Sequence, residues 1–160
     1  MEQLMVKNRA IAQIKSGSRL IALICFAAAA FNALTAAAPY IGLIDYGSDQ
    51  LTRFGVVRMV SGSVISAIIM VCAAAVFLRI SKNGIPFAPV NILTVRVIGG
   101  LLLANAVIPM AVSLAVSGVG WKMFPSALLS SSMLAGVLFL FIAQIMYYGA
   151  LLQQESDETL

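Results

Sequence analysis

Residues 20–39 read LIALICFAAAAFNALTAAAP, twenty residues without a single charged side chain. As an α-helix this stretch is roughly 30 Å long, which matches the hydrocarbon core of a bilayer. Three further apolar stretches are long enough to cross, at about 57–78, 97–117 and 126–152. The sequence therefore predicts an all-α, polytopic membrane protein, folded as an antiparallel bundle of four transmembrane helices.

The composition of the whole chain agrees with this prediction. Of its 160 residues, 61% are apolar and 10% are charged, and the mean hydropathy is +1.01. Soluble domains have about 45–50% apolar and about 25% charged residues. An ordinary water-soluble enzyme is therefore excluded.

The residue types needed for common active sites are scarce. The chain has no histidine, and its two cysteines, Cys25 and Cys72, lie within apolar stretches. This removes Ser-His-Asp and Cys-His nucleophile systems, haem held by histidine, and zinc sites. We therefore expect no enzyme activity, no metal and no cofactor.

The basic residues in the flanks predict the orientation in the membrane. Seven Lys or Arg residues flank one side of the four spans and three flank the other. The first group is Lys7, Arg9, Lys15, Arg19, Arg79, Lys82 and Arg96, and the second is Arg53, Arg58 and Lys122. Since basic flanks stay in the cytoplasm, both termini are predicted to be cytoplasmic.

The two ends of the chain are expected to lie outside the transmembrane domain of residues 20–152. Residues 1–19 are basic, and residues 2–18 have the spacing of an amphipathic helix that ends at a turn around Gly17. A cleaved signal peptide over residues 1–38 is the alternative, but the long basic and apolar regions favour an uncleaved span. Residues 153–160 form an acidic cytoplasmic tail.

Polar side chains within the spans are few, and none of those near a span centre is ionisable. They include Asn32, Asn105 and Gln144. Pro109 lacks the N–H that would bond the carbonyl of Asn105, so a kink is expected there. Interhelical hydrogen bonding explains these residues most simply, and a binding pocket is the alternative.

Small residues mark where the helices are expected to pack closely. They recur at every fourth position in three spans, at Ala29, Ala33 and Ala37, at Gly62 and Ser66, and at Ser132 and Gly136. Small residues at this spacing let two backbones approach within a membrane.

Two segments have a distinctive pattern, and both are predicted to face the cytoplasm. The loop between the second and third spans reads GIPFAPVN over residues 84–91, and Arg96 and Gly99 follow it. Gly84 is expected to form a turn, and Pro89 suits the first turn of the next helix. The chain ends with Gly149, Leu152, Glu155, Asp157 and Thr159 at fixed spacing.

These two segments resemble the bacterial integral membrane family catalogued as domain of unknown function 2975, over roughly residues 20–160. Its members have four hydrophobic segments, a Gly-x-Pro-Phe-Ser-Pro-x-Asn loop and a similar terminus. The positions that match are Gly84, Pro86, Phe87, Pro89, Asn91, Arg96, Gly99, Gly149, Leu152, Glu155, Asp157 and Thr159. Ala88 replaces a serine that could cap the third helix, and Leu160 replaces a β-branched residue.

The resemblance implies a function as well as an architecture. Such proteins are similar in gene arrangement to pairs in which a helix-turn-helix regulator is encoded beside a membrane protein. This implies a non-enzymatic partner of a cytoplasmic transcription regulator, with the lipid bilayer as its other partner and no direct binding of nucleic acid. The residues expected to bind the regulator are Gly84, Pro86, Phe87, Asn91, Arg96, Gly149, Leu152, Glu155, Asp157 and Thr159.

A small transporter or channel-like component that acts as a homo-oligomer is the alternative function. It would use Asn32, Asn105 and Gln144 around the kink at Pro109.

Overall fold

The computed structural model describes residues 2–45, 49–117 and 130–158, and every regular element in them is a helix. The helices are α1 (Glu2–Ala37), α2 (Gln50–Asn83), α3 (Pro89–Ser117) and α4 (Ser131–Glu158). Each contains a stretch long and apolar enough to cross a membrane. The predicted all-α class is confirmed for the described residues, while the predicted start of the fourth span near residue 126 lies outside them.

α1 differs from the prediction, because it runs without a break from Glu2 to Ala37. The turn expected at Gly17 is therefore wrong. The hydroxyl of Ser16 donates to the carbonyl of Gln13 at 3.1 Å, so this polar side chain is satisfied within the helix and does not end it. At 36 residues α1 is roughly 54 Å long, and its first turns continue along the axis of the span. The apolar face predicted for residues 2–18 depends partly on side chains before Ala12, which lie outside the described part.

Local chemistry sets both ends of α2. Asp49 is its N-cap, with a carboxylate oxygen that accepts from the backbone N–H of Thr52 at 3.0 Å. At the other end Gly84 has φ 70°, and its N–H donates to the carbonyl of Ile80 at 2.7 Å. A glycine with left-handed backbone angles is the common helix stop, so the predicted turn at Gly84 is confirmed. α3 then begins at Pro89, also as predicted.

Helices that follow each other in the chain pack against each other and run antiparallel. In the described part the main contacts join α1 with α2, α2 with α3, and α3 with α4. Arg19 at the middle of α1 donates to Ser81 near the end of α2 at 3.1 Å, and Arg79 of α2 donates to Thr94 of α3 at 3.0 Å. α3 is the most buried of the four helices, since 39% of its most apolar stretch is buried against 22% for α2, 17% for α1 and 11% for α4.

Two apolar clusters join α3 to its neighbours. One lies near the 84–88 loop, where Val76 of α2, Val95 of α3 and Ala143 of α4 are buried together. The other lies towards the opposite end and joins Phe54 of α2 to Met110 and Leu114 of α3. α3 is therefore held against α2 towards both ends and against α4 near the loop.

Candidate functional site

The 84–91 loop is a closed turn held by one buried side chain. Asn91 is 1% exposed, and its Nδ2 donates to the carbonyl oxygens of Ile85 at 3.2 Å and Pro86 at 3.3 Å. The carbonyl of Ala88 accepts from the N–H groups of Asn91 at 2.8 Å and Ile92 at 3.2 Å, which starts α3 without a side-chain cap. Asn91 therefore shapes the loop from inside, and its amide is turned away from the surface.

The loop also contacts the far end of α4. A Cβ atom on Gly149 would lie 3.5 Å from Cε1 of Phe87, so the aromatic ring rests directly on the α4 backbone. The two segments that were distinctive in the sequence are thus in contact, although 61 positions separate Phe87 from Gly149 in the chain. We call the area formed by Phe87, Arg96, Tyr147, Gly149 and the groove beside them the loop–α4 surface.

A groove on this surface combines a cation with apolar walls. The guanidinium carbon of Arg96 lies 5.7 Å from the ring centroid of Tyr147, which is within the range of a cation–π contact. The cavity there has a volume of about 320 Å³ and is lined by Pro89, Ile92, Leu93, Arg96, Tyr147, Ala150, Leu151 and Gln154. It can accept a group that is apolar along its length and polar or anionic at one end.

The predicted acidic tail continues α4. The helix reaches Glu158, six residues past the predicted end of the span, and Leu152 is 66% exposed. Gln154 Nε2 donates to Glu158 Oε1 at 3.0 Å, one helical turn apart. Glu155 is also exposed. The side chain of Asp157 and the whole of Thr159 lie outside the described part.

The structure does not bring together the three amide side chains predicted within the membrane. Asn32 donates to the carbonyl of Ala28 in its own helix at 2.8 Å. Gln144 is exposed on α4. Asn105 lines a cavity that also contains the predicted kink residue Pro109, through which α3 continues as a helix.

This second cavity, which we call the Asn105 cavity, lies between α2, α3 and α4 and has a polar lining. Its volume is about 280 Å³, and it is lined by Arg58, Gly62, Ser66, Asn105, Ala106, Pro109, Met110, Ser130, Ser131 and Ser132. Asn105 Oδ1 and Ser130 Oγ are buried and have no hydrogen-bond partner within the described residues. Arg58 was predicted only as a basic residue of a flank, and no pattern in the sequence singled out Ser130. One face of α2 carries Arg58, Gly62 and Ser66, which recur at every fourth position. This spacing is the feature of the sequence that could have predicted the α2 side of the cavity.

The described residues hold no cluster of three or more His, Cys, Asp or Glu side chains that could bind a metal ion.

The chain matches no protein-family model, no curated protein and no solved structure with which it was compared. Proposals about its function therefore rest on its own residues and on their geometry.

Proposed function

We propose that this chain is a non-enzymatic protein of the bacterial inner membrane that binds a cytoplasmic helix-turn-helix regulator through its loop–α4 surface. The observation that carries the proposal is the contact of Phe87 with Gly149. It joins the loop and the end of α4 into one continuous surface, as a shared binding function requires.

The shape of the surface supports binding of a protein segment. The groove is lined by aliphatic side chains such as Ile92, Leu93 and Leu151, and Arg96 stands at its edge. An amphipathic helix commonly docks its apolar face in a groove of this kind. Because Asn91 clamps the loop from inside, the surface is preformed and little conformational entropy is lost on binding.

The acidic extension of α4 beyond the predicted span supports a basic partner. Arg79, Lys82 and Arg96 lie close to the loop, where they suit contact with anionic lipid headgroups. α4 continues for roughly 9 Å from Leu152 to Glu158, and this extension carries the acidic side chains Glu155 and Glu158. A DNA-binding regulator has a basic surface, and exposed carboxylates beyond the lipid attract it electrostatically.

The transporter alternative has weaker support. Its three amide side chains share no cavity in the described part of the chain, since Asn32 bonds to its own helix and Gln144 is exposed. A path across the membrane would need a second copy of the chain to complete it. The transporter function stays a prediction. Solute flux into liposomes that contain the protein, and loss of this flux in Asn105→Leu, would test it.

The experiment measures binding of the purified regulator, which the family resemblance implies is encoded beside this protein, to membrane vesicles that contain the full chain. Gly149→Leu pushes Phe87 off the α4 backbone and should abolish binding. Gly100→Leu is the matched control, because no described heavy atom lies within 4 Å of a Cβ atom at Gly100. It should bind as the unchanged protein does.

A second pair of variants tests the charge contribution. Glu155→Lys should weaken binding several-fold at low salt and less at high salt, since exposed charges are screened. Asp45→Lys makes the same change in charge at the other end of the helix row and should have no effect. Binding that is unaffected by both Gly149→Leu and Glu155→Lys would exclude the loop–α4 surface as the docking site.

A further inference from the structure

We propose that the Asn105 cavity binds a small solute that carries a carboxylate beside a hydroxyl or ammonium group. The cavity lies away from the loop–α4 surface, towards the opposite end of the helices. The proposal therefore goes beyond the docking function and does not depend on it.

The cavity places polar groups at a depth where a bilayer protein normally avoids them. Asn105 lies near the middle of α3 and Ser66 near the middle of α2. A buried polar atom without a hydrogen bond destabilises a protein. Asn105 Oδ1 and Ser130 Oγ are buried, have no hydrogen-bond partner among the described residues, and belong to residues that line the same cavity. A ligand that bonds to both would remove this destabilisation, which gives the cavity an intrinsic affinity for polar solutes.

Positive potential at one side of the cavity favours an anionic group. Arg58 lines it, and no carboxylate is among its lining residues in the described part of the chain. The 28-residue helix α4 begins at the same place, where the carbonyl of Ser130 accepts from the N–H groups of Met133 at 3.0 Å and Leu134 at 3.4 Å. The N–H groups of Ser131 and Ser132, at the positive end of the helix dipole, have no helical acceptor. Arg58 is an exposed residue, and its charge and these N–H groups both favour a carboxylate on this side of the cavity.

The other side of the cavity needs a donor from the ligand. Asn105 Oδ1 is an acceptor and lies 3.9 Å from the position that a Cβ atom on Gly62 would occupy. Pro109 has no N–H, so the backbone carbonyl of Asn105 also lacks its usual helical donor. A hydroxyl or ammonium group next to the carboxylate would donate to Asn105 Oδ1.

The size of the cavity limits the ligand to a small molecule. About 280 Å³ lies just below the usual range of roughly 300–1,000 Å³ for ligand pockets. Gly62 contributes to this space, because its missing side chain leaves the Asn105 amide and the Pro109 ring facing an open α2 backbone. Solutes the size of one amino acid or one hydroxy acid fit, whereas a lipid headgroup with two acyl chains does not.

The test is equilibrium binding of radiolabelled L-serine and of lactate to the purified full chain in detergent micelles. Both probes carry the two groups that the site requires. Acetate lacks the donor and ethanolamine lacks the carboxylate, so each should compete poorly. We expect saturable binding of at least one of the two labelled probes at millimolar concentration.

Substitutions in the cavity separate specific binding from simple solvation. Asn105→Leu removes the acceptor at similar volume and should weaken binding about ten-fold or more. Arg58→Gln removes the positive charge and should weaken binding to a similar extent. Asn32→Leu is the matched control, since Asn32 already bonds to Ala28 and lies outside the lining. It should leave the affinity unchanged.

A stability measurement keeps the test decisive if binding is weak. Because its Oδ1 has no partner among the described residues, Asn105→Leu should keep or raise the thermal unfolding midpoint of the ligand-free protein. No saturable binding of either labelled probe to the folded protein would overturn the proposal and leave water as the occupant. If Asn105→Leu and Arg58→Gln both bind the probes as tightly as the unchanged protein does, the proposal is overturned as well.

Discussion

At the scale of single residues, two glycines set how closely α3 and α4 approach. A Cβ atom on Gly99 would lie 2.9 Å from Cγ of Leu140 and 3.1 Å from the carbonyl oxygen of Gly136. A Cβ atom on Gly136 would lie 3.0 Å from the carbonyl oxygen of Gly99. The two backbones are therefore in contact at this point, where any side chain on either glycine would separate them. In a membrane, van der Waals contact of this kind is a main source of helix association.

Gly99→Ala should destabilise the protein by about 1–3 kcal/mol, because the Leu140 side chain and the α4 backbone must both move. Thermal unfolding in micelles measures the effect. Gly100→Ala is the control one position away, and no described heavy atom would meet its Cβ within 4 Å. It should be neutral or slightly stabilising, because alanine favours a helix over glycine. Equal stability of the two variants would show that α3 and α4 do not meet at Gly99.

At the scale of helices, polar side chains at the ends and within the helices decide where each helix stops. Asp49 starts α2 and Gly84 ends it, each by a local hydrogen-bonding arrangement. The cluster of Ser16, Gly17 and Ser18 looks like such a signal but does not end α1. An intrahelical bond satisfies the Ser16 hydroxyl, and Gly17 keeps helical backbone angles. A turn signal therefore stops a helix only where the chain gains other bonds by leaving it.

Gly17→Ala tests the unbroken helix. No described heavy atom lies within 4 Å of a Cβ atom at this position. In the middle of a helix alanine is better than glycine by about 1 kcal/mol, so the variant should be as stable as the parent or more stable. Thermal unfolding and helix content by circular dichroism check this. A clear loss of stability would indicate that Gly17 forms the turn after all.

The N-cap of α2 should depend on pH. Hydrogen bonds from the side chain of Thr52 and then from its backbone N–H lower the pKa of Asp49 from its ordinary value of 3.8. The stabilisation from the cap should therefore be complete above about pH 4 and be lost as the pH falls through the lowered pKa.

Carbon-13 NMR of the Asp49 carboxyl measures this titration directly. Asp49→Ala should show fast exchange of the Thr52 amide at every pH, whereas in the parent protein the protection fails only in acid. An Asp49 pKa at or above its ordinary value would contradict the capping bond.

At the scale of the whole molecule, four antiparallel helices place the described ends of the chain, near Glu2 and Glu158, on the same side as the 84–88 loop. α1 therefore starts and α4 ends on the same side of the helix row. This arrangement does not determine which compartment that side faces. The excess of basic residues at this end predicts the cytoplasm.

Fusion of a periplasm-dependent reporter enzyme after Leu160 should give no activity in intact cells, and a reporter that works in the cytoplasm should be active there. The same reporters after Leu43, between α1 and α2, should give the opposite result. Activity of the periplasmic reporter at Leu160 would reverse the orientation and remove the proposed regulator from reach.

The sequence alone predicted the features that depend on local chemistry. The lengths of the apolar stretches gave four spans, Gly84 gave the end of α2 and Pro89 gave the start of α3. It also singled out both segments of the loop–α4 surface, but their contact through Phe87 and Gly149 required the tertiary structure. The convergence of Arg58, Asn105 and Ser130 on one cavity was not predicted, because they belong to three different helices.

The bilayer explains why the sequence predicts the spans but not the contacts between them. A helix crosses a bilayer because its own apolar length and its internal hydrogen bonds allow it, and both can be read from consecutive residues. The side that faces lipid and the side that faces protein are equally apolar, so hydrophobicity does not fix how a helix is rotated or which neighbour it meets. Only the close fit of particular surfaces, such as Gly99 against Gly136, decides this, and it thereby decides which polar groups share a cavity.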